Sequence, residues 1–214
     1  MVENKGYKAM SIIALIVGVI GVTLGYAAFS NTLTISSGAD VTPDASKFNV
    51  DFSSANNAVQ TNDITPVLNP NNVQDFTASD ATIDNTSDPL ITDLHASFTE
   101  PGQTATYTFY AYNAGEYIAY LNSIVFSGSK TCTARTGTTQ GLVDDACPGI
   151  TLTVTVGSET ATTTSVANIT GHSLAIGSAD TITVVIAYEA NSAIADGIFD
   201  VVFPDVVLTY ASAD

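Results

Sequence analysis

The sequence predicts an all-β protein, a jelly-roll-like β-sandwich preceded by an N-terminal apolar signal or anchor helix. Past Phe29, apolar residues do not recur at helical spacing over any stretch of ten residues. They alternate with Thr, Ser or Asn, the period of a strand with one face buried and the other wet. The alternating runs are short, and clusters of Gly, Pro, Asn and Asp, residues whose backbones suit turns, separate them. The one long apolar run, Ala9 to Phe29, stands behind Lys5 and Lys8 at the N-terminus.

As a helix rising about 1.5 Å per residue, that run would reach roughly 30 Å, the thickness of a bilayer core. It closes on Gly25-Tyr26-Ala27-Ala28, the kind of small-residue end that precedes a signal-peptidase cut. Residues 1–28 are therefore expected to be a signal peptide or, uncut, a transmembrane helix; length favours the anchor and the small residues favour cleavage. Both outcomes carry the chain across the cytoplasmic membrane, to the cell surface or the extracellular space. Residues 29–38 read as an N-terminal strand and linker. Phe29 leads into 32–36, where Leu33 and Ile35 alternate with Thr, and Ser36-Ser37-Gly38 follows.

Residues 39–214 are long enough to bury a core as one sandwich domain. The candidate strands are 47–52, 91–98, 104–112, 117–126, 150–156, 181–189 and 198–210. Within 150–156, Leu152, Val154 and Val156 alternate with three threonines, turning an aliphatic face to a core and a hydroxyl face to water. Pro204 has no backbone N–H and should interrupt the last segment at a bulge or a sheet edge. The stretch 55–89 is rich in Asn, Asp, Thr and Pro with scattered apolar residues, and reads as a long surface excursion with room for one short strand. An internal echo links 97–113 with 173–188. Each has an apolar residue, a Gly turn and then a strand of alternating threonines, as either successive hairpins or a duplication would produce.

The chain carries 5 basic and 21 acidic residues, a formal net charge of −16, which repels phosphate backbones and excludes nucleic acid as a partner. Only 12% of residues are charged, so most of the surface must be uncharged Thr, Ser and Asn. Cys132 and Cys147 share one Gly/Thr-rich segment of an exported chain and are expected to form a local disulfide, contributing roughly 3 kcal/mol through loop-closure entropy. A zinc site is not expected: His95 and His172 are far apart, and no CxxC or HxxxH spacing occurs. Asn85-Thr86-Ser87 and Asn168-Ile169-Thr170 both fit the acceptor pattern for N-glycosylation.

There is no GxSxG, HExxH or phosphate-binding loop, and neither histidine sits in a motif. No catalytic residue and no cofactor is assigned, and the protein is not expected to be an enzyme. Asp144 and Asp145 are weak candidates for Ca²⁺ ligation, as is the unevenly spaced set Asp80, Asp84, Asp88 and Asp93; neither has the spacing of a dedicated calcium loop. Tyr107, Tyr110, Tyr112, Tyr117 and Tyr120 would suit stacking on sugar rings or, more simply, packing along strand faces.

Three stretches carry a family likeness. They are Tyr26-Ala27-Ala28-Phe29-Ser30 with the alternating strand after it, the central Phe98-x-x-Pro101-Gly102-Gln103-x-x-x-Tyr107-x-Phe109-x-x-x-Asn113-x-Gly115, and the final Phe203-x-Asp205-Val-Val-Leu208-x-Tyr210. Together they resemble the TasA/camelysin family of exported fibre and cell-surface proteins. Members have a cleaved signal, adopt a jelly roll and assemble by donor-strand complementation. The resemblance therefore implies a structural subunit of an extracellular fibre or biofilm matrix, with copies of itself in a filament and the cell envelope or extracellular matrix as partners. Phe29, Leu33 and Ile35 would be its assembly residues. The chain departs from the family in its few lysines, its cysteine pair and its Asn/Asp-rich insertion. Two other readings stand beside this one: a membrane-anchored or pilin-like filament subunit that keeps its apolar helix, and an adhesin or carbohydrate- or Ca²⁺-binding surface module.

Overall fold

Alternation of apolar and hydroxyl residues produces strands along most of the described residues, which are all-β apart from one short helix and a single 3-10 turn. The computed structural model describes residues 30–35, 47–70, 76–86, 89–134, 137, 139–162, 165–190, 192 and 199–212. The expected signal or anchor segment over 1–28, and Phe29, lie outside them. In chain order the elements are β1 (Ser30–Ile35), β2 (Val50–Ser53), β3 (Val67–Asn69), β4 (Thr77–Ala78), β5 (Thr82–Asp84), β6 (Leu90–Thr92), β7 (Ala96–Ser97), β8 (Thr104–Asn113), β9 (Ala119–Phe126) and β10 (Thr131–Ala134). Then come α1 (Gln140–Ala146), a 3-10 turn (Cys147–Gly149), β11 (Ile150–Val156), β12 (Glu159–Thr162), β13 (Val166–Ala167), β14 (Ser173–Leu174), β15 (Ala179–Tyr188), β16 (Phe199–Val202) and β17 (Val206–Ser212).

Two larger sheets share one core. The first runs β13-β9-β17-β1-β6-β5, with β14 also on β9; the second runs β12-β11-β15-β8-β2, with β3 also on β8. Phe52 and Phe109 from the second sheet, and Leu121, Ile124 and Leu208 from the first, belong to the same buried cluster. Phe52 and Phe109 meet edge to face, ring centroids 5.6 Å apart, the arrangement that aromatic quadrupoles favour. Two small ribbons, β10-β16 and β4-β7, lie outside these sheets.

β8 and β15 pair antiparallel over nearly their whole length, Thr183 opposite Thr108 near the middle. These strands carry the two echoed stretches, and the echo has a geometric counterpart. Gly102, at φ +96°, donates its N–H to Tyr188 O (2.6 Å), while Tyr188 N–H donates to Gln103 O (2.9 Å). At the other end Gly177, at φ +69°, donates to Asn113 O (2.9 Å), while Asn113 N–H donates to Ser178 O (3.0 Å). Each strand's entry turn thus closes the exit of the other, and a left-handed glycine at each corner permits it.

Three buried polar side chains fasten loops to this pair. Gln103 is fully buried; its Oε1 accepts from Thr99 N (2.7 Å) and its Nε2 donates to Thr99 Oγ1 (2.7 Å), which holds the turn ahead of β8. Asn113 donates through Nδ2 to Tyr117 O (2.8 Å) and Leu174 O (3.0 Å), tying β8 to the following loop and to β14 of the other sheet. Tyr107 Oη reaches Ser79 O and His95 O, each at 2.9 Å, and so pins both ends of the β5–β6 region.

Several expectations are corrected. The segment expected as one strand over 91–98 is two, because Asp93 adopts φ +63° and turns the chain out of the first sheet before β7. The last segment likewise divides: β16 pairs with β10, β17 enters the first sheet, and Pro204 lies between them. The excursion over 55–89 is more than surface. It supplies β3, β4 and β5 and a bridge between Ile64 and Ala81, and Ile64, Phe76, Ala81 and Ile83 are buried, although Val67 is 69% exposed. Its apolar residues are too widely spaced to show a local period, yet distant strands pair with it. Phe76 stacks on Phe98 (5.6 Å), which in turn meets Tyr188 (6.2 Å).

Burial pushes the Tyr107 hydroxyl up to about 12. Above the ordinary tyrosine value near 10, the folded protein keeps a proton that the unfolded chain has lost. Stability from this group is therefore complete below pH 10 and is lost as pH rises towards 12, on the order of 1 kcal/mol per pH unit. Urea midpoints should fall across that window. Tyr107→Phe should flatten the decline while lowering stability at pH 7 by about 1–3 kcal/mol through its lost hydrogen bonds; an undiminished alkaline slope in the variant would assign the titration to another group.

Candidate functional site

β1 occupies an interior slot of the first sheet. It pairs antiparallel with β17 along its full six residues, Ser30 opposite Ala211 through Ile35 opposite Val206, and parallel with β6 at Thr34–Leu90 and Ile35–Ile91. This register sets Leu33 opposite the fully buried Leu208 and Ile35 opposite the fully buried Val206. The slot is built by the alternation in β17, where Val206, Leu208 and Tyr210 point to the core. The short strand that the sequence marked for assembly thus sits where a sheet interior would otherwise be an open edge.

Cys132 and Cys147 are bonded, with Cα atoms 6.0 Å apart. The bond ties β10 to the start of the 3-10 turn after α1. Val143 and Ala146 of α1 are buried against Cys132, Ala134 and Phe199, a second small core that covers the β10-β16 ribbon. Lys130 completes this region. Its Nζ donates to Cys147 O (2.6 Å), Pro148 O (3.3 Å) and Ile150 O, so a cation closes the carbonyl end of the helical turn. Partial burial lowers the Lys130 pKa, but its hydrogens are committed to carbonyls and it is a cap, not a nucleophile.

Two grooves flank the ribbon. One, about 680 Å³, is lined by His95, Phe98, Tyr188, Phe199, Asp200 and Phe203 among others; the second, about 420 Å³, includes Phe126, Lys130, Pro148 and Phe203. The outward positions of β8, β11 and β15 carry no charged residue. Thr104, Thr106, Thr108, Thr151, Thr153, Thr155, Thr181 and Thr183 cover much of that face, and Thr153–Thr162 (3.2 Å) and Thr155–Thr160 (3.1 Å) bond across strands. The five tyrosines do not form one platform. Alternation sends Tyr107 into the core and leaves Tyr110 and Tyr112 half-buried on the outer side, while Tyr120 belongs to β9 of the other sheet.

The sequence did not mark the network of partly buried His172 and Asp180 with buried Tyr210. Asp180 Oδ2 accepts from Tyr210 Oη (2.7 Å) and from His172 Nε2 (2.9 Å). Asp180 is on β15 and Tyr210 on β17, so the network bonds one sheet to the other through the core. Burial first, then the Asp180 charge, holds Tyr210 protonated well above the ordinary tyrosine range, which suits a permanent donor. His172 is covered by the β11–β12 turn: a Cβ on Gly157 would lie 2.6 Å from its Cε1. The arrangement is a brace, and a signal for it existed only in the Tyr at the end of the third family-like stretch. His95 is exposed at the larger groove.

Asp144 and Asp145 are exposed on α1, and Asp144 Oδ1 accepts from Gln140 Nε2 (2.7 Å). Asp84 accepts from Thr86 N (2.8 Å) and Oγ1 (2.7 Å), a local turn that lowers its pKa, and Asp88 lies outside the described residues. Among the described residues no three His, Cys, Asp or Glu side chains gather closely enough to hold a metal ion. No family model, no curated protein and no solved structure matches this chain.

Replacing both cysteines with serine should cost roughly 2–4 kcal/mol while leaving the two-sheet core folded. Amide exchange should speed up in β10 and α1 far more than in β8 and β15; uniform acceleration through the chain would show that the staple supports the whole fold.

Proposed function

We propose that this protein is a non-catalytic structural subunit of an extracellular fibre or cell-surface matrix, a jelly-roll-like sandwich that assembles by passing its N-terminal strand to a neighbouring copy. The observation that carries the reading is the slot of β1. Its ladders with β17 and β6 are backbone pairings in a defined register, and a β1 from another copy carries the same backbone and the same sequence alternation, so it would satisfy that register equally. Residues 36–49, fourteen of them, separate β1 from β2, and at about 3.3–3.6 Å each they reach up to roughly 50 Å. A domain of this size is roughly 40 Å across, so a neighbour's slot is within reach. Exchange of this kind is head to tail and propagates into a filament. The threonine positions of β8, β11 and β15, with carboxylates only at the margins of that face (Asp51 of β2 and Glu189), support the reading further, since a chain of net charge −16 packs most closely where it carries least charge. The resemblance to the TasA/camelysin family agrees with this reading.

A second reading, a carbohydrate-binding surface module, draws on the larger groove, where Phe98, Tyr188, Phe199 and Phe203 offer ring faces beside His95 and Asp200. Titration with oligosaccharides, followed by intrinsic tyrosine fluorescence, separates the two.

Protein purified from its source cells should form fibres in negative-stain images, and its N-terminus should begin at residue 28 or 29. Leu33→Asp or Ile35→Asp should abolish fibres by placing a charge opposite buried Leu208 or Val206, at a cost of several kcal/mol for each slot filled. Normal fibres from both variants would end the strand-exchange reading.

A further inference from the structure

The two glycosylation-type tripeptides differ sharply in their surroundings. Asn85 Nδ2, the atom to which a glycan would be attached, donates to Phe52 O at 2.7 Å, and Asn85 Oδ1 is buried without a partner. A sugar on that nitrogen would have to enter the space between β2 and the β5–β6 turn, in place of one of the two hydrogens of the Nδ2 that serves a main-chain carbonyl of the core. Asn168 stands at a corner. β13 and β14 both pair with β9, and residues 168–172 form the short loop that joins them at the edge of the first sheet. Ile169 turns inward, packs against the core and donates its N–H to Asn122 O (2.9 Å). Asn168, at φ +58°, and Thr170 are therefore thrown outward together, and both are exposed. A Cβ built on Gly171 meets no atom within 4 Å, so the space beside the tripeptide is open.

An N-glycosyl transferase requires this presentation: the Asn amide and the hydroxyl two residues on, free on one side of the chain. We propose that Asn168, and not Asn85, is an N-glycosylation site. The inference rests on the export half of the reading above and is independent of fibre assembly. The donor is a lipid-linked oligosaccharide, carried on a polyprenyl phosphate or diphosphate and supplied with its membrane transferase at the site of export. Asn168 Nδ2 forms a bond to the anomeric carbon as the carbon–oxygen bond to the phosphate breaks. The lipid phosphate leaves with the electron pair, and the amide proton passes to a carboxylate of the transferase. The glycan would project from the β13–β14 loop at the sheet margin, away from the threonine face of the second sheet and away from the β1 slot, so glycosylation and fibre formation are compatible.

The test is glycopeptide mass spectrometry on protein purified from its source cells and digested with chymotrypsin, because the chain has only 5 Lys and Arg residues. The peptide containing Asn168 should be heavier by whole sugar residues and the peptide containing Asn85 should have its unmodified mass. Asn168→Gln and Thr170→Ala should each abolish the added mass, whereas Thr170→Ser should retain it. An unmodified Asn168 peptide from exported protein, added mass that survives Asn168→Gln, or equal occupancy at Asn85 would overturn the proposal. Because the readout is mass and not polymer, a glycosylated protein without fibres would reject only the fibre reading, and fibres of unmodified protein only this one.

Discussion

The antiparallel pair of β8 and β15 is the constraint on which the rest of the molecule depends. Its core side carries Tyr107, Phe109 and Asn113 from one strand and Asp180, Ile182 and Val184 from the other. Each polar member of that set ends in a bond to another part of the chain: Tyr107 to the loops beside β5 and β6, Asn113 to β14, Asp180 to Tyr210 of β17 and to His172. Buried polar groups are costly unless paired, so each of these bonds admits one position of its partner and rejects alternatives in which it would be left unpaired. The pair thus sets where the first sheet lies as well as holding the second together.

That arrangement explains why the N-terminal strand has a defined slot. β17 is held from behind by Tyr210 and from one side by β9, so its other edge, the one β1 covers, is fixed in place. On the other side β1 meets β6 over only two residues, which is a weaker ladder than the six-residue one with β17. The disulfide region has a different character. It is a small core of its own, stapled and capped by Lys130, and it borders the grooves without entering the main cluster.

The residues behind the family likeness turn out to have structural duties. Gly102 makes the entry turn, Gln103 holds it, Tyr107 and Asn113 pin loops, and Phe109 packs on Phe52. Gly115 passes so close to the segment leading into β2 that a Cβ there would lie 2.6 Å from Asn49 N. Such a pattern marks how a sandwich of this type is closed at its corners, not a site of chemistry, so it speaks for fold more directly than for function.

Strand content, the longest strands and the disulfide were legible in the sequence, because period-two alternation and the spacing of two cysteines are local. In Ile150–Val156 the burial alternates residue by residue as the threonines predict. What lay beyond local reading has a common cause. The short strands β3, β4, β5, β12, β13 and β14 are two to four residues long, too brief for a period; β3, β12, β13 and β14 exist because a longer strand offers them a ladder, and β4 and β5 because a distant short strand, β7 or β6, meets them. The breaks at Asp93 and Pro204 show that an alternating run can change sheets midway, since alternation specifies a buried face but not which partner supplies it. His172, Asp180 and Tyr210 come together only when two sheets face each other. The sequence by itself determined which side of each long strand is apolar; only the tertiary structure decided which strands would be neighbours, because backbone hydrogen bonds are indifferent to sequence and long-range packing must choose among them.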